Sequence, residues 1–328
     1  MRSNLGTAVV GAIAIVVVVA LVIALGSRSS GGTAASSAPA TVAASGATSE
    51  SPSASASEAA SPSSTACAKE SLTLVTPGKF TIGTDNPAYP PYFLENPDKH
   101  KTEPWELGDP TNATGFESAV GYAIADKLGF TRDEVAWVVV PFANSFAPGA
   151  KNFDIDLNQV SFKPERAQTA DLSDGYYFGN QSLVVMKDSP LASATSIAAL
   201  KDHTFGAQVG TTSYDTIVNV IKPSKDPAVY DTNDAAIEAL GKGTIDGIVV
   251  DLPTADFITN VQLENSKIVG QFEGAGATPE HFSAVLAKSS PLTPCVNGAI
   301  AALDSDGTLD ALASQFLPFQ DAVPVFGP

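Results

Sequence analysis

The sequence predicts an α/β protein of two lobes, placed behind a membrane-type segment and a long linker. Short apolar runs rich in β-branched residues alternate with segments of helical periodicity, the pattern of strands covered by helices. A half-repeat, Lys151-Asn152-Phe153-Asp154 and Gly243-Thr244-Ile245-Asp246, precedes an apolar strand in each half, as two similar lobes would produce. With 328 residues the chain is long enough for two domains with a large core.

At the N-terminus, Ala8 to Leu25 is an uncharged apolar run between Arg2 and Arg28. A signal-peptide core spans about 7–15 residues and a membrane span about 17–25. The run suits the second better, so residues 1–26 are expected to be an uncleaved anchor, with a cleaved signal as the other reading. Either way the rest lies outside the cytoplasm. Residues 27–66 are almost wholly Ser, Ala, Thr, Pro and Gly; they cannot bury enough apolar surface to fold and are expected to be a disordered linker.

The balance of 18 Lys+Arg against 35 Asp+Glu argues against a nucleic-acid partner, whose binding rests on phosphate neutralisation. Cys67 and Cys295 have no CxxC spacing and no His nearby, so neither a zinc site nor another metal is expected. In an oxidising compartment they would pair as a disulfide closing a very long loop, worth roughly 4–5 kcal/mol in the chain-entropy model. Two free thiols are the alternative.

The folded part begins near Cys67. Lys79–Thr84 reads as a strand running into Asp85-Asn86-Pro87-Ala88-Tyr89-Pro90-Pro91-Tyr92. Asp85, at the C-terminal end of that strand, either points into a crevice or makes an Asx-turn ahead of Pro87. Glu95 to Ala113 reads as an inserted polar loop, in which Trp105 either packs within the loop, the simpler reading, or forms a lid over a site. Phe116, Ala119, Val120, Ala123, Ile124 and Leu128 recur at helical spacing up to Gly129. Val135–Val140 reads as a buried strand leading to Pro141-Phe142, and Phe153–Leu157 as a short strand followed by the turn Asn158-Gln159-Val160-Ser161.

Lys163-Pro164-Glu165-Arg166 is expected to open a helix, because Pro suits the first helical position. Arg166 would then sit where the helix dipole disfavours a cation, so an anion is expected beside it: Glu165, Asp171, Asp174 or a ligand carboxylate. Gln181–Met186 reads as a strand after a crossing at Asn180. Thr204–Val209, which contains Gln208, meets Gly210-Thr211-Thr212-Ser213 at the start of a helix, where free amides make an anion site or hydroxyls simply cap. Ala235–Leu240 is helical, Thr244–Val250 is a strand, and Asp251 at its end either faces the crevice or caps the helix before Pro253. Pro294 through Phe316 is helical.

Asp154, Ser161, Pro164-Glu165-Arg166, Asp171-Leu172-Ser173 and Tyr176-Tyr177 fit the pattern Y-D-V-x-x-x-x-x-S-I-T-P-E-R-x-x-x-x-D-F-S-x-P-Y-Y. The stretch resembles the family 3 extracellular solute-binding proteins, which deliver polar amino acids to ABC importers. Gly115-Phe116-Glu117, Gly210-Thr211-Thr212 and Asp306-Gly307-Thr308-Leu309 are similar to further motifs of that family. Lys163 replaces the family's Thr, Gly175 its Pro, and Ala119 its frequent second Asp.

The resemblance implies a two-lobe periplasmic-binding-protein-like (type II) fold, with 67–180 and 280–328 in lobe 1, 181–279 in lobe 2, and hinges near Asn180 and Glu280–Phe282. It implies that Arg166 and Ser161 grip a ligand carboxylate with Thr211 and Thr212 from the opposite lobe, while Asp251 takes the ammonium. Asp85, beside Tyr89, suggests a cationic or amide side chain. Phe142 stands where the family places an aromatic against the ligand, though a core Phe is the simpler reading. Asn158 and Gln159, bulkier than usual, either shrink the pocket or add contacts, and Gln208 completes its wall. The expected function is the extracytoplasmic binding component of an ABC importer: a monomer anchored to the membrane by its N-terminal segment, served by a permease, with no cofactor. The alternatives are an amino-acid-sensing ectodomain and a dehydratase-type enzyme on the same fold. Against the enzyme, His100, His203 and His281 belong to none of the motifs, and no nucleophile–base pair is visible.

Overall fold

In the computed structural model, residues 66–95, 103–274, 279–317 and 323–327 are described. The chain runs through β1 (Phe80–Thr84), α1 (Phe116–Lys127), β2 (Val135–Val139), α2 (Phe142–Ser145), β3 (Ile155–Asp156) and β4 (Ala170–Phe178). It continues with β5 (Gln181–Met186), β6 (Phe205–Gln208), α3 (Thr212–Thr216), β7 (Ala228–Tyr230), α4 (Asn233–Gly241), β8 (Gly247–Asp251) and α5 (Leu252–Phe257). β9 (Ser266–Phe272), β10 (His281–Ala287), α6 (Thr293–Ser305) and α7 (Thr308–Phe316) follow. The strands form two five-stranded sheets, ordered β2-β1-β3-β10-β4 and β7-β6-β8-β5-β9.

Each sheet mixes parallel and antiparallel pairs: β1 runs parallel to β2 and β3, and β6 parallel to β7 and β8, while β10 and β5 run antiparallel to their neighbours. The first core packs α1, α6 and α7 around Phe80, Ile82, Phe116 and Phe282; the second packs β5, β6 and β8 around Leu183, Phe205 and Val249.

The half-repeat has a structural counterpart. Asp154 N donates to Thr81 O at 2.8 Å while its carboxylate accepts from Thr81 N at 2.7 Å, tying β3 to β1. Asp246 does the same with Thr204, again at 2.8 Å for its own N–H and 2.8 Å for the carboxylate, tying the start of β8 to that of β6. In each lobe an acidic residue one step before the strand aligns the next parallel neighbour, satisfying amides that open-ended strands leave unpaired.

Three expectations are corrected. Lys163–Arg166 opens no regular helix: the chain makes a single 3-10 turn, Arg166–Gln168, before β4 begins at Ala170. A turn of three residues has no macrodipole to oppose Arg166. Val135–Val139 is a half-buried strand, because β2 is the sheet edge rather than its centre. Residues 323–327, grouped by sequence with the first lobe, pair with the second: Val325 bridges Gln271, Gly327 bridges Ser196, and Phe326 stacks on Phe272 at 4.8 Å.

Trp105 is buried in the first core. Cys67 and Cys295 form a disulfide with Cα atoms 5.4 Å apart, fastening the entry of the folded part to α6. The expected anchor at 1–26 and nearly all of the linker at 27–66 lie outside the described residues. Among the described residues no helix is long and apolar enough to cross a membrane.

Candidate functional site

The C-terminal ends of β1, β6 and β8 and the turn after β3 converge on one cleft, partly open to solvent. Asp85, Tyr89, Phe142, Asn158, Gln159, Ser161, Arg166, Gln208, Thr211, Thr212 and Asp251 all line it. Sequence reasoning named each of these. It placed Ser213 only in the turn that opens a helix and did not name Asn233, Val250 and Thr254 as wall residues; the four complete the wall.

Arg166 dominates the first-lobe side. It is 5 % exposed, and its guanidinium lies 4.5 Å from the ring centre of Phe146 and 5.4 Å from that of Phe142. Nη1 donates to Ser161 O and Nη2 to Gly210 O at 2.9 Å, across the cleft, while Nε is buried with no partner. Its acceptors are therefore neutral carbonyls, and it forms no ion pair among the described residues. Of the acidic residues expected to offset it, Asp171 instead pairs with Lys288 and accepts from Ser289, Ser290 and Thr293. Burial lowers the Arg166 pKa to about 10, with Asp251, Asp215 and Glu280 pulling the other way. The group keeps its charge at neutral pH.

Asp251 stands at the end of β8, half-buried. Burial and then the charge of Glu280 push its pKa up; the Gln181 amide, donating at 2.5 Å, and Arg166 hold it down. Asp85 accepts from Asn86 N at 2.7 Å and Phe142 N at 3.2 Å, so it is both a turn residue and a cleft residue; burial outweighs those bonds and raises its pKa. Thr211 caps α3 by accepting from Tyr214 N, and its hydroxyl donates to Gln208 O at 2.7 Å. Thr212 opens α3 with its hydroxyl facing the first lobe.

The turn 158–161 is anchored from below. Gln159, in left-handed backbone at φ 50°, donates both its amide N–H (2.8 Å) and its side-chain amide to Glu117, which also accepts from Tyr176 at 2.5 Å. Glu117 is fully buried, and burial outweighs these three bonds to raise its pKa to about 7. Asn158 is 3 % exposed and donates to Val140 O at 3.3 Å. Both bulky residues thus build the cleft floor.

Several direct bonds span the two lobes. Tyr89 donates to Asp234 at 2.8 Å, the Tyr92 and Thr254 hydroxyls meet at 3.2 Å, and Lys163 pairs with Asp215. Glu280, which the sequence marked only as a hinge, accepts through Oε1 from Ser161 (3.0 Å), Thr212 (2.6 Å) and Gln181 (2.8 Å). No local signal marks Glu280 or Gln181. Their roles arise only when β5 and β10 are brought together at the crossings.

Two α/β lobes that meet over a cleft holding a buried, carboxylate-free guanidinium define a hinged binding protein for small polar molecules. Residues 81–319 match the family model of the bacterial extracellular solute-binding proteins, family 3, and the chain belongs to that family. The L-cystine-binding protein TcyJ of Escherichia coli (strain K12) is 26 % identical over 240 residues, covering 73 % of this chain and 82 % of TcyJ. A solved structure of an ancestral arginine-binding protein bound to arginine superposes with a TM-score of 0.57 at 25 % identity, covering 73 % of this chain and 98 % of that one. The ancestral amino acid-binding protein AncCDT-1, described as a precursor of cyclohexadienyl dehydratase, matches with the same TM-score and identity over 73 % of this chain and 95 % of its own.

Proposed function

We propose that the chain is the extracytoplasmic binding component of an ABC importer and that its ligand is a cationic amino acid. Arg166 is the observation that carries this reading: a buried, charged fork whose Nε–H has no partner and whose acceptors are only carbonyls. Such a group is completed by a ligand carboxylate in bidentate geometry. Thr212 and the free amides at the start of α3 reach the same carboxylate from the second lobe. Asp251 receives the α-ammonium. Asp85, at the far end of the cleft beside Tyr89, receives a cationic side chain. A zwitterion is costly to desolvate, so only a ligand meeting both lobes recovers the full set of bonds, and binding favours the closed arrangement. A membrane permease reads that closed form, with the chain acting as a monomer held to the membrane by its N-terminal segment.

The dehydratase alternative has one observation in its favour, the carboxyl group of Glu117 poised near pH 7 beneath the site. Glu117 lies behind Gln159 and Tyr176 and does not line the cleft, which weighs against it as an acid or base. Calorimetry against the twenty amino acids, with product analysis for prephenate and arogenate, tests both readings. The expected result is tight binding of a cationic amino acid without turnover, weakened at least about 100-fold in Asp251→Asn, which deletes a charge partner inside a closed site. Binding of no amino acid, or consumption of prephenate or arogenate, overturns the assignment.

A further inference from the structure

The carboxylate end of the cleft contains a carboxylate of the protein's own. One oxygen of Glu280 accepts from three donors: Ser161 Oγ of the first lobe, Thr212 Oγ1 of the second, and Gln181 Nε2 at the crossing between them. Ser161 and Gln181 are almost wholly buried, at 2 % and 1 % exposure, so these donors have little water to turn to. Glu280 itself is half-buried and sits immediately before β10, on the segment that carries the chain back from the second sheet to the first.

A hydroxyl has a single proton to donate. Ser161 and Thr212 therefore cannot serve Glu280 and a ligand carboxylate at once. We propose that Glu280 is a built-in occupant of the carboxylate subsite, and that a ligand's α-carboxylate binds by taking Ser161 and Thr212 from it. This rests on the reading above, that the ligand is an amino acid oriented by Arg166. The exchange replaces like with like, one carboxylate for another on the same donors. It also separates two acidic groups, because Gln181 Nε2 is shared between Glu280 and Asp251. With its solvent-facing half, Glu280 has an outlet to water when displaced, and its place at the crossing ties that displacement to the hinge. The residue thereby filters ligands: a molecule must bring a carboxylate good enough to win the contest, and a bare amine gains nothing from it.

The test compares L-arginine and L-lysine with their decarboxylated counterparts, agmatine and cadaverine, by calorimetry on the full-length chain and on Glu280→Ala and Glu280→Gln. Thermal unfolding of each variant checks that it folds. Removing the competitor is expected to raise the affinity for at least one of the two amino acids by about tenfold or more in Glu280→Ala, the scale of a charge-assisted hydrogen bond. Glu280→Gln, which keeps an acceptor without the charge, gives a smaller gain in the same direction and carries the readout alone if the alanine variant does not fold. Agmatine and cadaverine gain nothing. Unchanged or weakened amino-acid binding in the variants, with the native chain binding normally, overturns the role of Glu280 alone, as does an equal gain for the bare amines. Failure of the native chain and both variants to bind either amino acid overturns the reading of a cationic amino acid as ligand, and this proposal falls with it.

Discussion

A guanidinium lying against two adjoining phenyl rings, with carbonyl oxygens as its acceptors, is an unfinished arrangement. Arg166 keeps its charge because its pKa, though lowered by burial, is still about 10; Asp251, Asp215 and Glu280 pull it upward through space, yet none of them touches it as an ion pair. Arg166→Lys keeps the charge and loses both the fork and the ring stacking, so ligand affinity is expected to fall about 10- to 100-fold while the melting temperature changes little. Calorimetry and thermal unfolding of the variant check the two halves of that statement. Glu117 makes a different prediction. Its pKa rises from the ordinary 4.5 to about 7 on folding, so the folded chain holds a proton that the unfolded chain releases. Stability is therefore fully supported below about pH 4.5 and declines as pH rises through 7, by about 3 kcal/mol for this group alone. Asp156, wholly buried with neither oxygen hydrogen-bonded, shifts in the same direction. The melting temperature is expected to be higher at pH 5 than at pH 8, with a shallower slope in Glu117→Gln; a flat or rising profile contradicts the burial argument.

The strand ends and turns that shape the cleft were the most legible part of the sequence. Gln181–Met186 is the strand its apolar run predicts, and Asp85 and Asp251 sit at the strand ends where the sequence puts them. These signals are local, set by alternation and by turn chemistry. The failures are non-local. Pro164 favours a helix, but β4 must begin at Ala170 to pair with β10, which leaves room only for one tight turn. β2 has the composition of a buried strand and lies at the edge, a fact decided by sheet order and invisible in the run itself. Glu280 carries no motif because its partners lie 68, 99 and 119 residues away. Among the elements, α6 has a consequence of its own: the disulfide ties it to the chain's entry across a separation of 228 residues. The chain-entropy model gives about 5 kcal/mol for a loop that long, as an upper figure. Cys295→Ser, or reduction of the native chain, is expected to lower the denaturant midpoint markedly while leaving the ligand affinity of the folded protein unchanged.

Closure of the whole molecule is written in bonds between the lobes. Lys163, where the family's pattern has Thr, pairs with Asp215 on α3, so the departure exchanges a local hydroxyl for a bridge across the cleft. The pair is partly exposed, at 21 % and 38 % for its two side chains, so its worth is at most about 1 kcal/mol. Lys163→Ala is expected to weaken ligand binding a few-fold, mostly by faster dissociation, and the difference should shrink as salt screens the pair. Stopped-flow release at low and high ionic strength measures both. Tyr89 with Asp234 forms a further bond between the lobes near the other end of the cleft, and both add to the Tyr92–Thr254 and Arg166–Gly210 contacts.

Phe326, tucked against Phe272 in the second lobe, places the two ends of the folded chain on opposite halves of the molecule, since Cys67 is riveted to the first. A fluorophore near residue 66 and another near residue 327 would therefore ride on different bodies, and the transfer efficiency between them would follow the cleft as it opens and shuts. These two positions become a gauge for the bound ligand, with no label needed anywhere near the binding pocket.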